Sequence, residues 1–206
     1  MRTLSTLILF ICVNMAIFGT AQAPDKIIYN GKEYALHSNP MESYFEKYPD
    51  KRPRREVYSS GLRRGYVATF EVKDNQLYLK NIEIEIWTSF KSVLNEVFPN
   101  QEFVKVDCFT GLLVLPEGEM GDYAHTGYAS TYEHYILLEF ENGNLKRKKL
   151  FGYEEYEEFK EKQFQAFKKT DEYRELKENF KKTYDITENF LRTFVIEYSS
   201  KILVEE

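Results

Sequence analysis

Tyr66-Val-Ala-Thr-Phe-Glu-Val72, the turn Lys73-Asp-Asn-Gln76 and Leu77-Tyr-Leu-Lys-Asn-Ile-Glu-Ile-Glu-Ile86 carry the period that decides the fold. Tyr66, Ala68, Phe70 and Val72 alternate with their neighbours, which places them on one face of a strand. The return strand changes phase, because Leu77 and Leu79 are odd-numbered while Ile82, Ile84 and Ile86 are even. Side chains in a strand repeat every two residues, so one extra residue near Lys80-Asn81 must bulge out if both sets are to face one core. Glu83 and Glu85 then face water. They stand ~7 Å apart, a separation that a carboxylate pair in a glycosidase can use, but alternating Ile and Glu is what a half-exposed strand produces in any case.

Outward from this hairpin the pattern repeats. Lys26 to Tyr29 and Lys32 to Leu36 flank Asn30-Gly31, a pair that tolerates positive φ at both turn positions. Asn39-Pro40-Met41-Glu42 places a capping residue, a Pro at the first helical position and a Glu at the third, predicting a short helix to Tyr48. Ser89 to Phe98 reads as a helix stopped by Pro99. Glu102 to Cys108 and Leu112 to Leu115 read as strands around Gly111, and Tyr132 to Phe140 pairs with Leu145 to Leu150 across Glu141-Asn-Gly-Asn144.

After Phe151 the period becomes helical. Tyr153, Tyr156, Phe159, Phe164 and Phe167 share one stripe, while Tyr173, Leu176 and Phe180 fall nearly opposite. One straight helix cannot bury both, which predicts a break at Thr170-Asp171, where either side chain caps a new helix. A third helix is expected from Asp185, burying Phe190, Leu191, Phe194, Val195 and Tyr198. The expected fold is α+β: an antiparallel β-hairpin sheet packed with short helices and a C-terminal helical segment. One domain over 22–206 is expected, β-rich over 22–150 and helical over 151–206.

The first residues have the pattern of an export signal. Arg2 is followed by a mostly apolar run from Leu4 to Phe18, and small residues stand at both positions a signal peptidase reads in Gly19-Thr20-Ala21. A leader over 1–21 is expected, with 23 as the alternative end; Pro24 immediately after that second site disfavours it. The run is too short for the ~20 residues that cross hydrocarbon, and no later segment has the composition to do so. Ile11 is too bulky for Cys12 to be a lipid-attachment cysteine. Export to the periplasm or the extracellular space follows.

The 206 residues carry 28 Lys and Arg against 33 Asp and Glu, and 43% are hydrophobic. That composition excludes a disordered or collagen-like chain. Without the leader the balance is 27 against 33, a net of −6, which argues against general nucleic-acid binding. Cys108 is then the single cysteine, so stability rests on packing and not on a disulfide. Its parity with Val104 and Val106 predicts an inward, unreactive thiol.

Arg64-Gly-Tyr-Val-Ala-Thr-Phe-Glu-Val72 followed by Leu77-Tyr-Leu79 resembles a family of uncharacterised bacterial exported proteins sharing a Gly-Tyr-x-Ala-x-Phe-Glu core and a Leu-Tyr-Leu return strand. The likeness covers residues 26 to 150. It implies a strand pattern and carries no activity or functional residue.

Two segments stand out as candidate sites. Gly121 to Tyr135 collects two of the three histidines, two acids and four tyrosines between hairpins. Asp122, His125, Glu133 and His134 have the chemistry of a general acid–base or metal set, and Tyr123, Tyr128 and Tyr132 can stack on a flat ligand. No compact metal motif is present, and His134 shares parity with Ile136, Leu138 and Phe140, which predicts an inward, hydrogen-bonded ring. The second segment is basic: Arg52, Arg54, Arg55, Arg63 and Arg64, with Lys51, in an otherwise acidic chain. Guanidinium forks suit phosphate, sulfate or carboxylate, although Pro49 and Pro53 also fit a plain solvated loop. Ser59-Ser60-Gly61 lacks a nucleophile elbow and no Gly-rich phosphate loop occurs.

These features point to an exported, non-catalytic binding or partner-interaction protein for an anionic or aromatic-stacking ligand or a protein partner. No cofactor, metal or nucleic acid is expected. The alternatives are a hydrolase, metal-dependent or not, using the 121–135 loop, and an immunity or inhibitor protein.

Overall fold

A computed structural model describes residues 20–125, 128–181 and 202. The leader up to residue 19, Thr126-Gly127 of the tyrosine-rich loop and the third helix expected from Asp185 lie outside the described residues. Among those described, no helix is long and apolar enough to cross a membrane.

The elements run β1 (Asp25–Tyr29), β2 (Lys32–Leu36), α1 (Glu42–Lys47), β3 (Val67–Lys73), β4 (Gln76–Ile86), β5 (Ser89–Ser92), α2 (Leu94–Val97), β6 (Val104–Lys105), β7 (Gly111–Met120), β8 (Tyr132–Glu141), β9 (Asn144–Gly152), α3 (Tyr153–Phe167) and α4 (Asp171–Lys181). The fold is mixed and dominated by sheet. The path is β2-β1-β3-β4-β9-β8-β7, with β5 and β6 also on β4. All pairs are antiparallel except β1 with β3, where Ile27 lies beside Phe70 in parallel register. An all-hairpin sheet is therefore corrected: the long connection from His37 to Tyr66, containing α1, returns the chain far enough for a parallel neighbour.

The sheet rolls until its two ends meet. The His37 N–H donates to the Val114 carbonyl at 2.9 Å, and Ser38 Oγ bridges the Leu112 carbonyl and the Val114 N–H. Inside the roll lie Ile27, Phe70, Leu79, Ile82, Leu113 and Phe140, all fully buried. Burying each is worth ~1.5–3 kcal/mol. The other face of β7 to β9 holds a second core, in which Leu112, Tyr135, Leu137 and Phe151 pack under Tyr156 and Phe159 of α3. β7 is buried on both faces, which is why Leu112 to Leu115 reads as an unbroken apolar run.

The phase change in β4 is resolved as expected. Thr69 pairs with Asn81 and Phe70 with Leu79, so Lys80 is the extra residue, and both leucines and both of Ile82 and Ile84 enter one core. Asn30-Gly31 and Asn142-Gly143 turn with positive φ at every position. At Gly143 a side chain has no room: a Cβ would stand 2.5 Å from the Val106 carbonyl oxygen. The helix break also holds, with Thr170 Oγ accepting from the Tyr173 N–H at 3.2 Å.

Several local expectations are overturned. Ser89 to Ser92 is a strand, because the Trp87-Thr88 turn lets it pair with the free edge of β4, and helix is confined to Leu94–Val97. Asn39 does not cap α1; its side chain bonds Tyr128 instead. β6 is only two residues long, and the turn after Val106 breaks the parity that pointed Cys108 inward, leaving its thiol exposed. His134 is exposed too: β8 extends past the core where β7 shifts register between Glu117 and Met120. Tyr153 likewise faces water, at 42% exposure.

Candidate functional site

Asp25 opens β1 and is fully buried. Its Oδ1 accepts from the Ala68 N–H at 2.7 Å and from Arg64 Nη2 at 2.8 Å. Arg64 reaches it from a tight turn that ends in Gly65 at φ +86°, where a side chain would collide with Arg55. The same guanidinium donates to the Ala23 carbonyl at 2.7 Å and to the Tyr128 hydroxyl at 3.2 Å. Tyr128 passes the chain on, donating to Asn39 Oδ1 at 3.0 Å. Its ring stacks on the buried His37, with centroids 4.9 Å apart and planes 8° from parallel, and Tyr132 meets His37 edge-on.

A second ion pair adjoins the first. Glu42 takes Arg52 through both guanidinium nitrogens, at 3.1 and 2.9 Å, and accepts from the buried Tyr66 hydroxyl at 2.6 Å. Arg52 also lies over the Phe45 ring, and Arg64 over that of Tyr66. Two-pronged pairs of this kind fix orientation as well as charge. Burial raises the Asp25 carboxyl to about 6 against the pull of Arg64, and lowers the His37 imidazole to about 4. Burial, with Glu42 beside it, pushes the Tyr66 phenol well above its usual range. Asp25 Oδ2 and Arg64 Nε have no hydrogen-bond partner among the described residues.

The two sequence features thus meet at one end of the roll. From the basic loop, Arg52 and Arg64 are engaged in these pairs, the Arg63 N–H bonds Gln22 Oε1, and Arg54 and Arg55 are exposed. From the tyrosine-rich segment, Tyr128 and Tyr132 form the inner side. Tyr123 is 57% exposed, with His125 edge-on at 4.8 Å. The loop has its own struts: the Gly121 N–H bonds the Thr131 carbonyl, the Thr131 N–H bonds that of Asp122, and the Ala124 N–H bonds Ser130 Oγ.

The acid–base candidates lie at the surface. Asp122, His125, Glu133 and His134 are all exposed. Glu133 folds over Gly118 to accept from the Glu119 N–H at 3.0 Å. His134 lies across from Glu117, whose carboxylate takes Lys32 at 2.6 Å. Among the described residues no three His, Cys, Asp or Glu side chains are grouped as a metal site needs.

Asp25, His37, Glu42 and Tyr66 were not legible as members of this cluster. The signal that could have found Asp25 is its parity with Ile27 and Tyr29, the buried face of β1. No family model, curated protein or solved structure matches the chain.

Proposed function

We propose that the protein acts after export as a non-catalytic binding protein, with the exposed parts of the 121–131 segment as its recognition surface and the exposed Arg54 and Arg55 favouring anionic ligands. The ligand class is an anion-bearing or aromatic-stacking molecule, or an acidic protein surface. The observation that carries this reading is Tyr123: a large ring left 57% exposed on a loop whose backbone is tied at both ends. Segments already joined by hydrogen bonds, as 121–124 are to 130–131, lose little entropy on binding, and an exposed aromatic ring on them supplies contact area. Tyr128 and Tyr132 take the supporting role, holding the loop against His37.

The test is calorimetric titration of the exported protein with a sulfated oligosaccharide and its desulfated counterpart. The sulfated probe is expected to bind, with roughly tenfold loss of affinity in Tyr123→Ala, or ~1.4 kcal/mol, and an unchanged melting temperature. Identical binding by Tyr123→Ala and by Arg54→Ala/Arg55→Ala overturns the proposal for anionic ligands.

A further inference from the structure

Five strands contribute to a second concavity, on the outer face of the sheet. Ala35 of β2, Lys26 of β1, Val67 of β3, Glu83 of β4 and Phe90 of β5 stand side by side along it, and Pro24 closes one end. Its volume is about 390 Å³, within the range of small-ligand pockets. The floor is apolar, formed by Pro24, Ala35 and the buried Val67.

The charges lining it are unequal. Lys26 is offset by Glu33, 3.9 Å away. Glu83 is half-buried, and its carboxylate has no hydrogen bond or ion pair with any described residue. Phe90, 50% exposed, forms the lip beside it, and Glu85 lies directly across from Phe90 in the β4–β5 register. The nearest cation on β5, Lys91, is engaged by Glu96 at 3.2 Å and Glu56 at 3.9 Å. An unpaired carboxylate, an aromatic face and an apolar trough together match a positively charged head on a short apolar stem.

We propose that this groove binds an organic monocation, an alkylammonium or guanidinium group, with Glu83 as counter-ion, Phe90 as the cation–π face and Val67 and Ala35 beneath the stem. The ammonium replaces part of its hydration with the carboxylate and ring while the stem leaves water. This site is separate from the 121–131 loop, none of whose residues line it. The alternation of Ile and Glu in β4 therefore does two jobs, since the same outward carboxylates that keep the strand soluble also charge the groove.

The experiment is chemical-shift titration of ¹⁵N-labelled protein at low salt with four probes: n-butylammonium, butan-1-ol, acetyl-Ala-Lys-Ala-amide and its norleucine analogue. Saturable shifts are expected for the two cations, at the amides of residues 23–26, 33–35, 82–85 and 89–92, and not for their neutral counterparts. Glu83→Gln is expected to weaken binding ~10-fold and Phe90→Ala ~3-fold, magnitudes typical of one charge-assisted contact and one exposed cation–π contact. Tighter binding of the lysyl peptide assigns the cation to a partner's side chain, and equal or tighter binding of butylammonium to a free small amine; both support the site. Equal shifts with butan-1-ol, or unchanged affinity in a Glu83→Gln protein of unaltered melting temperature, overturn it. Neither result touches the loop, where Tyr123→Ala remains the separate readout.

Discussion

Arg64 and Tyr128, 64 residues apart in the chain, share a hydrogen bond of 3.2 Å, and through it the basic loop and the tyrosine-rich loop become one structure. Behind that bond stands Asp25, so a buried carboxylate sets the position of a guanidinium, which sets the position of a surface loop. Tyr128 is thus held from beneath by groups almost wholly removed from solvent.

The pair at the base of this chain is expected to fail asymmetrically. Arg64→Met leaves the Asp25 carboxylate buried without its partner, and should cost ~3–5 kcal/mol in urea unfolding at pH 7. Adding Asp25→Leu should recover a large part of that loss, because two apolar groups need no compensation. A double variant no more stable than Arg64→Met would show that Asp25 contributes chiefly through the Ala68 N–H.

The loop strut is weaker. Tyr128→Phe keeps the stack on His37 and removes bonds to Arg64 and Asn39, so a loss of ~1–2 kcal/mol is expected, with faster amide exchange at residues 121–131. Exchange rates equal to wild type would mean that the ring stack alone holds the loop.

Two buried groups give pH dependences of opposite sign. His37 has its folded pKa lowered from 6.5 to about 4, so the stability it contributes is complete above pH 6.5 and is lost as pH falls toward 4, by about 3 kcal/mol. Asp25 has its folded pKa raised from 3.8 to about 6, so its contribution is complete below 3.8 and is lost as pH rises through 6. In the wild-type protein the two offset each other between pH 4 and 6. Asp25→Asn should therefore steepen the acid-side loss of stability, and His37→Gln should flatten or reverse it, measured as urea midpoints across that window.

The bulge offers a test of strand phase. Deleting Lys80 joins the Thr69–Asn81 and Phe70–Leu79 pairs without moving any core side chain to the other face, and should cost on the order of 1 kcal/mol. Deleting Glu83 instead turns Ile84 and Ile86 to the opposite face and should abolish cooperative thermal unfolding.

At Gly143, φ is +70° and a methyl group would meet the Val106 carbonyl oxygen at 2.5 Å. Gly143→Ala is expected to lose more than ~1 kcal/mol by thermal melting, whereas Gly31→Ala, with nothing within 4 Å, should lose only the smaller cost of positive φ.

The features legible in the chain were those determined within about ten residues. The odd-to-even switch from Leu79 to Ile82 required a bulge because side-chain period is a property of one strand. Asn30-Gly31 and Asn142-Gly143 announced their turns because positive φ is a steric matter for those residues alone. The opposed stripes of Phe167 and Tyr173 demanded a break at Thr170 for the same local reason. Tertiary structure alone decided what depends on distant segments. Whether Ser89 to Ser92 became strand depended on the open edge of β4, and whether Cys108 and His134 faced inward depended on where the core ended. The parallel β1–β3 pair, the closure of His37 on Val114 and the burial of Asp25 with Arg64 all arise when separate segments remove one another from water. Desolvation and backbone pairing of that kind are properties of the assembled roll, and no window of sequence contains them.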